Sequence, residues 1–285
     1  MAESIHLVEC PRDAMQGWKN FISTEKKVDY LNSLLNVGFH TIDFGSFVSA
    51  KAIPQLADTK EVIEQIDWKN SKSKLLAIVA NSRGAYDASA FPQIDYLGFP
   101  FSISPTFQMR NTNSTIEESL IRVAEIQEIC IRTGKQLVIY ISMGFGNPYG
   151  DTYNEEIAFS WIRRITALDI RIVSLADTVG LANAEQVNRM TLSVIKEFPN
   201  IETGVHLHST AANWREKIDA AYNAGCKRFD GAIKGIGGCP MANDELVGNM
   251  NTRWMVDYFQ EKDLLKNIDA RLLDAAEIKA ETIFI

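Results

Sequence analysis

Two histidines separated by a single residue, in Val205-His206-Leu207-His208, close a run that otherwise reads as a β-strand. Alternate residues of a strand project to the same face, so the two imidazoles can share one cation. Histidines in a strand can equally be satisfied core residues. The choice between the two depends on where other oxygen and nitrogen donors fall.

The elements that would position those donors follow from periodicity. Apolar, β-type runs near residues 5–10, 40–44, 75–80, 96–102, 136–142, 171–176, 201–207 and 228–232 alternate with longer segments of helical spacing. Ser114-x-x-Glu117 and Thr152-x-x-Glu155 have the form of capping boxes, and Ile116, Leu120, Val123 and Cys130 fall on one helical face. Eight strand-helix units without a linker predict a (β/α)8 TIM barrel. An open doubly wound sheet is the alternative, but no G-x-G-x-x-G follows the first strand. Gly235, Gly237 and Gly238 resemble a phosphate loop only weakly, because Cys239-Pro240 follows them in place of a Lys-Ser pair. The expected organisation is a single catalytic domain over residues 1–285. Residues from about 240 would supply an active-site loop and C-terminal helices.

A barrel of this kind does its chemistry where the strands end. The polar residues there are Arg12 and Asp13 after strand 1, Asp43 on strand 2, Asp177 and Thr178 after strand 6, the two histidines on strand 7, and Cys239 and Asn249 beyond strand 8. Closure makes strands 8 and 1 neighbours, so Asp13, His206, His208 and Asn249 can converge across more than 230 residues of chain. Such a mixed set suits Mg²⁺ or Mn²⁺. Zn²⁺ fits less well, since no thiolate lies at ligand spacing in the sequence. Taken singly, Asp13, Asp177 and Asn249 read as capping or turn residues and Cys239 as a small buried hydrophobe. Gathered on one rim, they read as a site.

Composition narrows the partners. A net charge of −7 with scattered basic residues argues against nucleic-acid binding. Cys10, Cys130, Cys226 and Cys239 are too widely spaced for a disulfide framework, which fits a reducing compartment. No segment reaches the ~20 apolar residues of a membrane span and no signal peptide is apparent, so a cytoplasmic location is expected.

Several segments carry a family resemblance. Glu9-Cys10-Pro11-Arg12-Asp13-Ala14-Met15-Gln16, Ser46-Phe47-Val48-Ser49 with Lys51 and Pro54-Gln55, the SMGFGNPY run over 142–149, Asp177-Thr178-Val179-Gly180, the H-x-H pair, and Gly237-Gly238-Cys239-Pro240 followed by Gly248-Asn249 resemble the 3-hydroxy-3-methylglutaryl-CoA lyase family. That family belongs to the metal-dependent lyases and Claisen-condensing enzymes built on TIM barrels. The resemblance implies a divalent cation on Asp13, His206, His208 and Asn249, enolate stabilisation by Arg12, and proton transfer by Cys239 on a mobile loop. Asp43 and Asp177 join Arg12 and Cys239 as candidate catalytic groups, with Gln16 and Ser142 as candidate substrate contacts. The implied reaction cleaves a 3-hydroxy-acyl-CoA, in the parent case to acetyl-CoA and acetoacetate, within a homo-oligomer. A related lyase, aldolase or Claisen-type synthase is the alternative, and a non-catalytic binding relic a further one. The chain departs from the family at Asp43, where Glu is usual, and at Ser209, where an Asp follows the second histidine. It also departs at Ala14-Met15 within the R-D-G-L-Q motif and in the loop between Cys239 and Asn249.

Overall fold

The computed structural model describes residues 5–238 and 247–285. Eight strands run β1 (His6–Glu9), β2 (Thr41–Ser46), β3 (Lys74–Ile78), β4 (Ile94–Ser102), β5 (Gln136–Ser142), β6 (Ile172–Ala176), β7 (Glu202–His206) and β8 (Arg228–Gly231). Each pairs in parallel with the next, and β8 pairs with β1 through His6↔Arg228 to Glu9↔Gly231, closing the barrel. The expected TIM barrel is therefore present, with all eight strands near their predicted positions. Among the described residues, no helix is long and apolar enough to cross a membrane.

Helix starts are set by local side-chain chemistry, and here two expectations need correction. The capping box lies one residue later than Ser114, at Thr115 and Glu118. Ser114 instead meets Gln108 and Thr112, while Glu117 forks with Arg164 at 2.8 and 2.6 Å. The helix Glu155–Thr166 is capped by Asn154, whose side chain accepts from the Ile157 amide, rather than by Thr152. An oxygen on the residue immediately before the helix reaches the free amide directly, whereas Thr152 stands three residues away from Glu155. The helix Ile116–Thr133 buries Ile116, Val123 and Cys130 as the periodicity predicts, with Leu120 packed at the edge.

The barrel separates two apolar layers. The larger lies between sheet and helices; a smaller one, made of Leu76, Ile78, Tyr96, Val138, Tyr140 and Ile172, fills the inside. Arg228 also points inward and is fully buried, its guanidinium against the Tyr96 ring and 3.8 Å from Glu202. Gly204 on β7 makes this possible, since a Cβ there would meet the Arg228 stem at 3.0 Å. The C-terminal helix Ala270–Ile283 packs on Thr24–Leu35, whose N-cap is Ser23.

Under the rim, Glu9 is buried with its carboxyl on the Ile233 amide and the Thr252 hydroxyl. Burial pushes it up to about 8 despite those two contacts. The fold thus binds a proton that the unfolded chain releases near its ordinary carboxylate pKa. The associated stability is complete at low pH and is lost as pH rises toward 8, by at most about 1.4 kcal/mol per pH unit. Glu9→Gln mimics the protonated carboxyl, so urea melts between pH 5 and 8 should decline less steeply than the parent's. Parallel declines would show that Glu9 does not carry the effect.

Candidate metal-assisted active site

At the barrel mouth β1 passes through Cys10 straight into a one-and-a-half-turn helix, Pro11–Gln16, with Pro at its first position, where no amide partner is needed. This helix explains the R-D-x-x-Q spacing. Gln16 falls three and four residues after Asp13 and Arg12, on the same face. Arg12 Nη1 donates to Asp13 Oδ1 at 3.0 Å and to Gln16 Oε1 at 2.9 Å, and Gln16 Nε2 donates to Asp13 Oδ1 at 2.9 Å. From β2, Asp43 accepts from Arg12 Nε at 3.0 Å and from Nη2 at 2.5 Å. Burial pushes Asp43 up to about 6 against the pull of Arg12, which leaves it ionised at neutral pH. Of the five guanidinium protons, one on Nη2 remains for a ligand in the cavity that Arg12 lines.

The strand carrying the histidines ends at His206, earlier than predicted. His208 forms an isolated antiparallel bridge with Asn249, flanked by Ser209 N–H to Gly248 O at 3.0 Å and Met250 N–H to Leu207 O at 3.1 Å. Both rings still converge, with centroids 5.6 Å apart. Ligand atoms of Asp13, His206 and His208 lie within 4.8 Å of one another. Asn249 Nδ2 donates to Asp13 Oδ2 at 2.7 Å and to Ile236 O at 2.9 Å, while its Oδ1 is buried without a hydrogen-bond partner. A buried amide oxygen beside one carboxylate and two imidazoles is a fourth donor lacking its acceptor, and a hard divalent cation would satisfy it. Gly237 completes the cradle, because a Cβ there would strike Asn249 Nδ2 at 2.6 Å and the Asp13 carbonyl at 3.0 Å.

Electrostatics agree with this assignment. Burial works to raise the Asp13 carboxyl, yet Arg12, His206, Asn249 and His208 together hold it below the usual range. Burial, followed by the His206 charge, pushes His208 down to about 4, so it is a neutral lone-pair donor at physiological pH. Asp13→Ala or His208→Ala should weaken Mn²⁺ binding by at least about tenfold, read from the free-ion paramagnetic resonance signal. Unchanged affinity in both variants would place the cation elsewhere.

Arg12, Asp13, Gln16, Ser142, His206 and His208 share one cavity of about 500 Å³, walled on its apolar side by Val48, Ala52, Ile53 and Phe107. Asp43 stands behind Arg12. Asp177 stands behind His208, its Oδ2 on Lys217 Nζ at 2.9 Å and its Oδ1 accepting from the Ala182 amide. Cys239 lies outside the described residues. Sequence reasoning missed two supporting groups. Lys217, fully buried, joins Asp177 to the His208 carbonyl at 2.8 Å. Asp230 on β8 faces His206 Nδ1 at 3.3 Å, raising that imidazole's pKa even though burial acts in the opposite sense. A lysine on an amphipathic helix gives no sign of pointing inward. Asp230 gives none either, because its place opposite His206 is set by strand register in the folded barrel.

Comparison with known proteins places this geometry. Residues 6–278 match the HMGL-like family. The chain belongs to that family. Among its relatives, hydroxymethylglutaryl-CoA lyase of Bacillus subtilis is 30% identical, over 94% of this chain and 89% of the relative. The (R)-citramalyl-CoA lyase of Chloroflexus aurantiacus is 27% identical, over 96% and 89%. A crystal structure of the HMG-CoA lyase from Brucella melitensis superposes with a TM-score of 0.91 at 29% identity, covering 99% of both chains. An HMG-CoA lyase structure from Acinetobacter baumannii, in complex with coenzyme A and 3-methylmalate, gives 0.91 at 30%, covering 100% of this chain and 92% of that one. This member of the HMGL-like family is thus an enzyme of a lyase family whose members differ in acyl substrate.

Proposed function

We propose that the protein is a divalent-metal-dependent carbon-carbon lyase of 3-hydroxy-acyl-CoA thioesters, with 3-hydroxy-3-methylglutaryl-CoA as its parent substrate. The observation that carries this reading is the shared cavity wall: Arg12, Asp13, His206 and His208 face the same space, beside the unpartnered Asn249 oxygen. A cation held by Asp13, His206, His208 and Asn249, Mg²⁺ or Mn²⁺ by the hardness of the donors, supplies Lewis acidity toward the substrate hydroxyl when bound.

The chain's own groups do the rest. As the substrate hydroxyl gives up its proton to water in the cavity, its oxygen becomes the ketone carbonyl and carbon-carbon cleavage leaves the electron pair on the acetyl-CoA fragment as an enolate, whose oxygen carries charge absent from the ground state. Arg12, fixed by Asp43 and Asp13 and with one proton to spare, is placed to bind that oxygen without reorganising. Gln16 and Ser142 offer polar contacts to the thioester or the departing ketone. Cys239 returns a proton to carbon. Cys239→Ser should therefore lower turnover while leaving Mn²⁺ affinity unchanged; full turnover in that variant would remove the thiol from the reaction.

A second reading changes the acyl group alone. Asp43, one methylene shorter than the usual Glu, holds Arg12 at 2.5 Å; a guanidinium held by a shorter arm would suit an acyl chain other than hydroxymethylglutaryl, and one relative is a citramalyl-CoA lyase. Incubation of the Mg²⁺- or Mn²⁺-loaded protein with each ester, following acetyl-CoA release, tests both. Cleavage of citramalyl-CoA in preference to hydroxymethylglutaryl-CoA selects the second reading. Release from neither ester, with metal bound, sinks the lyase assignment.

A further inference from the structure

At the seam where the barrel closes, Cys10, His206 and Asp230 bring a sulfur, a nitrogen and an oxygen within 4.8 Å of one another. The three come from adjacent strands. His206 pairs in register with Asp230, and the Cys10 amide donates to the Gly231 carbonyl at 2.8 Å. Cys10 and Asp230 are buried. Asp230 uses Oδ2 for a long 3.3 Å contact to His206 Nδ1, and its Oδ1 is buried without a partner. Cys10 Sγ has a single weak contact, 3.8 Å to the Val8 carbonyl. We propose that Cys10, His206 and Asp230 form a second, lower metal site, taking a thiophilic divalent cation of the zinc class, whose occupation excludes a cation from the upper site built on Asp13, His206, His208 and Asn249.

Donor type decides the class of ion. One thiolate, one imidazole and one carboxylate make up a zinc-type set, whereas the upper site offers oxygen and nitrogen without sulfur. Local charge favours a cation as well. Asp230, Asp43 and Asp13 bear on the Cys10 sulfur, with Arg12 opposing them and Arg228 opposing Asp230. On binding, the Cys10 S–H bond breaks, its proton leaves to solvent, and the sulfur lone pair goes to the metal.

The exclusion follows from the imidazole itself and rests on the reading of the upper site given above. A neutral ring has one lone pair and one N–H. Were the upper cation held by Nε2, the ring proton would sit on Nδ1, which faces Asp230 Oδ2 at 3.3 Å. With the lower cation on Nδ1, the proton moves to Nε2, and the upper site loses a ligand. His206 thus works as a one-position selector between a hard cation and a soft one.

Cadmium serves as the spectroscopic probe for zinc, because its thiolate complexes absorb in the ultraviolet. The titration is made on full-length Cys239→Ala protein, so that this cysteine makes no contribution, and needs neither turnover nor manganese. We expect a thiolate-to-cadmium band saturating at one equivalent, lost when Cys10→Ala is added, and an affinity at least tenfold weaker in Asp230→Asn. No band in the Cys239→Ala protein, or an equal band after Cys10→Ala, overturns the site. Should Cys10→Ala fail to fold, Asp230→Asn decides alone, and unchanged cadmium affinity there overturns the proposal. For the exclusion, Cd²⁺ should release bound Mn²⁺ from the parent at concentrations at least tenfold lower than from Cys10→Ala. Equal release from both would mean that cadmium acts at the upper site.

Discussion

Arg12→Lys is expected to fold like the parent, to bind Mn²⁺ with similar affinity, and to turn over at least about a hundredfold more slowly. An ammonium has three protons and no plane. It cannot hold Asp43 by two donors, Asp13 and Gln16 by a third and fourth, and still present one to an enolate oxygen. The loss falls on an interaction that strengthens only as charge develops, so kcat should fall with little change in KM. Steady-state kinetics with saturating metal separate the two constants. If kcat is retained, Arg12 is only a structural partner of Asp43 and Asp13.

Lys217→Met should show the largest loss of stability. Lys217 and Asp177 are both about 1% exposed along their side chains and 2.9 Å apart, so removing the ammonium leaves a buried carboxylate unpaired, at a cost of about 3–5 kcal/mol. The His208 carbonyl loses its donor in the same step, and Mn²⁺ affinity should weaken with it. Adding Asp177→Asn to Lys217→Met removes the stranded charge and should restore most of the melting temperature while leaving metal binding weak. That split separates the charge pair from the positioning of His208. Additive melting-temperature losses in the double variant would show that the two residues act independently.

The sequence allowed the barrel to be read because its strands are short apolar runs between amphipathic helices, a contrast that survives errors of one or two residues at each boundary. Asp13, Gln16, His206 and His208 could be read for the same reason: each pair keeps a fixed short spacing, the first within one helix and the second across the end of one strand, and spacing is local information. Lys217, Asp230 and Cys10 could not. Their roles depend on which neighbour a side chain meets across a helix face or the β8–β1 seam, and an isolated Lys, Asp or Cys has the same appearance in either setting. The absence of a thiolate at ligand spacing was true along the chain. Through space, closure sets Cys10 beside His206. The first capping box failed for a different reason, since Ser114 and Thr115 are equally suited to the role and only the bonds of Ser114 to Gln108 and Thr112 of the preceding helix select between them.

The bond from Asn249 to Asp13 spans 236 residues. It can form only after the last strand has docked against the first, so the donor set proposed for the cation comes together only in the closed barrel. Loop-closure entropy makes so distant a contact late in folding. An ion that waits for that contact binds the native state and leaves the folding barrier nearly untouched, adding its free energy to resistance against unfolding. Metal should accordingly slow the unfolding limb of a chevron plot and leave the refolding limb in place, so that the enzyme's lifetime, more than its rate of maturation, follows the metal supply of the cell.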